Sequence, residues 1–163
     1  MGQRLGPKIV VGTLALTAVL VFAAAPSGSA STTGAAPNSE FCKAYRHSLG
    51  ANSSSAARAA KAESAMKSGN WTVAQRTYLS AFADQAKEDQ ILTSVLGGAP
   101  SDVKTATAEL VAYVKSFRTI VRESDSIAAF TKAATALQAH SKVVAAETTL
   151  AQYTLAQCGV TTG

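Results

Sequence analysis

From Ser126 to Gln157 the chain carries an apolar or small residue at every third or fourth position. These are Ile127, Phe130, Ala134, Leu137, Ser141, Val144, Thr148, Ala151, Leu155 and, just beyond, Cys158. Alternating spacings of three and four place such side chains on one stripe of an α-helix. Gly159 follows at once and can take the left-handed conformation that ends helices. A stripe of this length is stable in water only against partner helices. The cysteine at its foot has one companion, Cys42, at the start of the folded part.

The partner helices are legible upstream. Phe41, Tyr45 and Leu49 repeat every four residues from Glu40 and give a first helix its apolar face. Gly50 and the run Asn52 to Ser55 weaken the pattern before Ala56 to Lys67 restores it. A single helix with a kink at Gly50 is the preferred reading, and two helices meeting there the alternative. After Ser68, Gly69 and Asn70, a second helix runs from about Trp71 to Leu96, with Thr72 and Gln75 spaced as a capping box. Tyr78, Phe82, Ala86, Leu92, Val95 and Leu96 mark its buried side, and Asp89 interrupts the row. Gly97 and Gly98 stop it. Pro100, with Ser101 or Asp102 as cap, starts a third helix, whose stripe is Val103, Ala106, Leu110, Val114, Phe117 and Val121. Ser124 to Ser126 separates that helix from the last.

Hydrophobic residues make up 47% of the chain, yet aromatics are only 6% and alanine supplies much of the rest. Alanine favours helix and lets helices approach closely, and the β-branched residues are too scattered for many strands. The expected fold class is therefore all-α. Short connections make neighbours antiparallel, which gives an up-down-up-down four-helix bundle over residues 40–160. With an even number of alternating helices, the first start and the last end lie together. Cys42 and Cys158 occupy those two places, so a disulfide between them is expected, closing a loop of about 116 residues.

Residues 1–30 read as a secretory signal. Arg4 and Lys8 precede an uncharged apolar run from Ile9 to Ala25, and Gly28 and Ala30 take the −3 and −1 places of a cleavage site before Ser31. The rival reading is an uncleaved N-terminal membrane anchor, for which this run is short. Residues 31–39 form a small, polar leader, and residues 161–163 a tail. The formal charge of +5 falls to about +3 once Arg4 and Lys8 are removed. An exported chain also permits the disulfide.

Candidate chemistry is sparse. Neither His47 nor His140 has a second histidine one helical turn away, as a helical metal site requires. His140 and Glu147, joined by Tyr78, Tyr113 or Tyr153, form the alternative of a metal or haem carrier. No metal set and no cofactor is expected in the preferred reading. Two Ser-x-x-Lys matches, Ser64 to Lys67 and Ser101 to Lys104, copy part of the penicillin-recognising enzymes, but the chain lacks the strands that fold needs. No catalytic residue is assigned. Lys104, Lys115, Arg118 and Arg122 form a basic row on the third helix, fit to meet an anionic envelope polymer or membrane surface, with Glu109 and Glu123 diluting the field. The aromatic residues that nucleic-acid stacking needs are claimed by the core, so no nucleic-acid partner is expected. Trp71, seven residues before Tyr78, reads as a lid on the bundle's end.

Phe41-Cys42 opening the first helix and Tyr153 through Gln157-Cys158-Gly159-Val160 closing the last flank an alanine-rich helical middle. In this layout the chain resembles small secreted or envelope-attached helical proteins of actinobacteria. The resemblance implies export, helices and a Cys42–Cys158 bridge, and it transfers no catalytic residue. The chain departs from the lipoprotein members in lacking a lipidation cysteine. The expectation is an exported, non-enzymatic bundle that acts by binding at the envelope or outside the cell. Its partner is a protein, a small apolar ligand or an anionic polymer, and it touches a membrane only through an uncleaved signal.

Overall fold

The computed structural model describes residues 39–159. The expected signal, leader and tail lie outside the described residues, as does the side chain of Leu49. Five helices, and no strand, make up the described residues: α1 (Ser39–Lys67), α2 (Trp71–Ser94), α3 (Ser101–Glu123), α4 (Ile127–His140) and α5 (Val143–Cys158). The all-α class holds. α1 is one helix through Gly50.

Side-chain pairs fix how the helices run. His47 meets Glu88, Ser55 Oγ donates to the Ala81 carbonyl at 3.1 Å, and Arg58 pairs with Asp84. The early α1 residue thus meets the late part of α2, and the later two meet earlier α2 residues, so the two helices are antiparallel. Between α2 and α3, Gln75 Nε2 donates to the Val121 carbonyl at 2.8 Å while Leu92 and Leu96 pack near Val103, again antiparallel. α4 covers the C-terminal part of α3, and α5 covers the rest and meets α1. There Cys42 and Cys158 are joined, with Cα atoms 5.5 Å apart.

The fourth expected helix is divided. Ser141 is extended (φ −84°, ψ 148°) and Lys142 lies outside helix, so α4 ends and α5 begins anew. The reason is register. At about 100° per residue, Phe130 and Leu150 would point to nearly opposite sides of one straight helix, about 200° apart. In the fold both are buried. The break turns Val143, Ala146, Leu150 and Thr154 inward and leaves Val144 65% and Leu155 37% exposed. Of the stripe expected beyond Leu137, Ala151 is buried, whereas Val144, Thr148 and Leu155 are exposed, so the buried face is a different one. Serine, which competes for the backbone through its hydroxyl, suits such a break; its Oγ donates to the Gln138 carbonyl at 3.1 Å.

A second correction concerns the start of α2. Thr72 does not cap it. Asn70 does, its Oδ1 accepting from the Val73 amide at 3.2 Å. Gln75 instead reaches the α3 terminus, donating to the carbonyls of Val121 and, at 3.1 Å, Ser124. Trp71 Nε1 donates to the same Ser124 carbonyl at 3.0 Å, and its ring lies 5.1 Å from that of Phe130. Trp71 is thus the lid the sequence implies, and with Gln75 it supplies donors to carbonyls that a helix end leaves open.

The core forms two apolar clusters. One, at the disulfide end, gathers Phe41, Cys42, Tyr45, Leu92, Leu96, Val103 and Leu150. The other, under Trp71, gathers Tyr78, Phe82, Val114, Phe117, Val121, Phe130 and Ala134. Between them lies the site.

Candidate functional site

Tyr78, Gln85 and Leu92 stand seven residues apart on α2 and share one inward face. The face is aromatic at its start, aliphatic at its end and polar between, where Gln85 is joined by Glu88 and Asp89. The other helices repeat the change at the same level. α1 contributes Ser48, α3 Thr107 and Tyr113, and α5 Glu147, which lies between Val143 and Leu150 on the inward stripe. The result is a polar layer across the bundle around a cavity of ≈ 50 Å³, walled by Leu92, Leu110, Val114, Val143 and Leu150. Such a volume has room for roughly three or four water molecules.

The layer is acidic. Glu88 is buried, with His47 Nδ1 2.9 Å from its Oε2 at the rim. Gln85 Nε2 donates to Asp89 Oδ1 at 3.0 Å, while Gln85 Oε1 and Asp89 Oδ2 are buried without a protein hydrogen-bond partner. No lysine or arginine lines the cavity. Burial raises the Asp89 carboxyl above its ordinary range, the Gln85 amide partly offsets this, and the Glu88 charge adds to it. Burial alone pushes Glu147 up to about 7 from 4.5. Tyr113 is raised by burial and by the neighbouring Glu147 charge.

These shifts set a pH dependence. Glu147 keeps its proton in the folded state across pH values at which the unfolded chain releases it. Its contribution to stability is therefore fully present below about 4.5 and is lost as pH rises through about 7. After allowing for partial exposure the loss is on the order of 1–2 kcal/mol. Glu147→Gln is expected to raise stability by about that amount at alkaline pH and to change it little at acid pH. Urea unfolding of both proteins at two pH values checks this, and parallel pH profiles would contradict it.

Of the residues singled out by sequence, Glu147 and Tyr113 do face one cavity. His140 does not line it; it is the exposed last residue of α4. Among the described residues no three His, Cys, Asp or Glu side chains converge as metal ligands. Both Ser-x-x-Lys pairs lie in solvent; Lys104 Nζ donates to the Gly97 carbonyl at 2.9 Å and not to Ser101. On the basic row, Lys104, Lys115 and Arg122 are exposed and Arg118 is half-buried, its Nε without a partner. Among the described residues none of the four joins an ion pair with a carboxylate, whereas Glu109 pairs with Lys142 at 3.8 Å.

Glu88 was not visible as a site residue in the sequence. The one trace was the Asp89 interruption, and its meaning depends on where α5 places Glu147. Comparison with protein-family models, with curated proteins and with solved structures finds no match to this chain.

Proposed function

We propose that the chain is an exported, non-enzymatic helical bundle that binds an anionic polymer at the cell envelope through Lys104, Lys115, Arg118 and Arg122 of α3. In this reading α4 and α5 are a broken fourth member of an up-down-up-down bundle, preceded by a signal cleaved before Ser31. The observation that carries it is the open state of the row. Three of its cations are exposed, no carboxylate pairs with them among the described residues, and one of the two diluting acids, Glu109, is engaged by Lys142 while the other, Glu123, is exposed. The Cys42–Cys158 bond supports export, because such bonds persist in oxidising compartments. A polymer is favoured over a small apolar ligand because the cavity presents Glu88, Asp89 and Glu147.

The mature protein is expected to bind a polyphosphate-backbone polymer at low salt and to weaken by about ten-fold or more at physiological ionic strength. Reversing Lys115, Arg118 and Arg122 to glutamate abolishes binding, while reversing the exposed Lys43, Lys61 and Lys132 lowers it far less. Titration on an immobilised polymer reads both. Binding indifferent to salt, or equally lost in the two triple variants, contradicts the proposal.

A further inference from the structure

The break between α4 and α5 separates two differently anchored segments. The second half of α5 is fixed by Leu150, Ala151 and Thr154, all buried, and by the bond from Cys158 to Cys42. The first half buries only Val143 and Ala146. Its start has no side-chain cap, since Lys142 makes no capping hydrogen bond, and Ser141 before it is extended. This half also carries Glu147 over the polar cavity.

We propose that the first two turns of α5, residues 143–149, form a pH-operated flap that is docked on the polar layer while Glu147 is protonated and released from it when Glu147 is ionised. The pivot is Ser141–Lys142, and the disulfide keeps the far end of α5 in place. The drive is the burial of Glu147 itself, and the titratable groups that share its layer are few. From α2 these are Glu88 and Asp89, from α3 Tyr113, and from α1 His47 acts on the layer through Glu88. The Lys142–Glu109 pair sits beside the pivot. α4 adds no titratable group to the cavity lining.

Docked and protonated, Glu147 brings no charge to a layer that already holds two carboxyls and no lysine or arginine. Ionised, it adds a like charge to a partly dry space, and the cheapest relief is hydration of its carboxylate. A wholesale opening is not needed. The two apolar clusters lie to either side of the layer, and only the weakly anchored turns have to lift. Burial already places the ionisation near neutrality, so the flap answers to ordinary changes of external pH.

The test is amide hydrogen exchange read by mass spectrometry on mature protein with its disulfide intact, at about pH 5.5 and pH 8, each rate corrected for intrinsic exchange. Protection of residues 143–149 is expected to fall by about ten-fold or more at the higher pH, while α3 and residues 152–157 change by less than about two-fold. In Glu147→Gln the drop disappears. Equal protection at both pH values in the wild-type protein overturns the proposal, and so does a drop shared by α2 and α3. Persistence of the local drop in a folded Glu147→Gln protein overturns it too. The wild-type comparison stands without the variant, and Glu147→Leu serves as a second one should glutamine fold poorly.

Discussion

Reduction of the Cys42–Cys158 bond is expected to lower the melting temperature of the protein by about 12–25 °C. The bond spans a sequence separation of 116 residues, for which the chain-entropy model gives on the order of 4 to 5 kcal/mol. For a domain of this size each kcal/mol moves the melting temperature by about 3–5 °C. The packing around the bond makes the loss hard to recover. Cys42 belongs to the cluster with Phe41, Tyr45, Leu92 and Leu150, so the bond holds α1 and α5 together where α1 begins and α5 ends. Without it, the end of α5 is retained by a few apolar contacts. Thermal unfolding followed by circular dichroism, with and without reductant, measures the effect, and a Cys42→Ser, Cys158→Ser double variant should reproduce it. An unchanged melting temperature would mean that the two termini are held by packing alone.

The second large effect concerns Phe117. It is 1% exposed, and four rings surround it. Its centroid lies 4.8 Å from that of Phe82, 5.6 Å from Phe130, 6.0 Å from Tyr78 and 6.4 Å from Tyr113. These rings come from α2, α3 and α4, so one side chain ties three helices. Phe117→Ala leaves a cavity that such large, rigid neighbours cannot fill, and is expected to cost about 3–5 kcal/mol. Phe117→Leu keeps more of the volume and should cost less than half as much. Urea denaturation of both variants decides the matter. If alanine and leucine cost the same, the rings close over the gap and the cluster is not the hub described.

Much of this architecture is legible in the sequence because some helices have only one plausible inner face. On α3, Val103, Ala106, Val114, Phe117 and Val121 are all buried, as their spacing implies. Ser126, in the polar turn that the sequence places before the last helix, caps α4 by accepting from the Ala129 amide at 3.2 Å. The last segment fails for a physical reason. Two regular stripes overlap there, one through Val144, Thr148, Ala151 and Leu155 and one through Val143, Ala146, Leu150 and Thr154, and of the first only Ala151 is buried. In an alanine-rich helix neither is marked by bulk, and local propensity does not choose between them. The choice is made in three dimensions, where Leu150 completes the cluster that includes Leu92 and Val103.

The polar layer is hidden in the sequence for the same reason. With Val144 and Thr148 taken as inward, Glu147 falls on a side face and attracts notice only as a possible ligand beside His140. Once α5 turns, Glu147 comes opposite Glu88 and Asp89, residues nearly sixty positions away in the chain. Periodicity reports which residues share a face of one helix. It does not report which faces of two helices meet.

The proposed export and the covalent bond between Cys42 and Cys158 can be tested together. The most direct measurement is mass spectrometry of the protein from separated fractions of its native cells, digested without reductant. The expected result is a chain beginning at Ser31 in the extracytoplasmic fraction, with a cross-linked peptide joining Cys42 to Cys158. A chain that keeps its first thirty residues and carries both thiols free in the cytoplasmic fraction would contradict it.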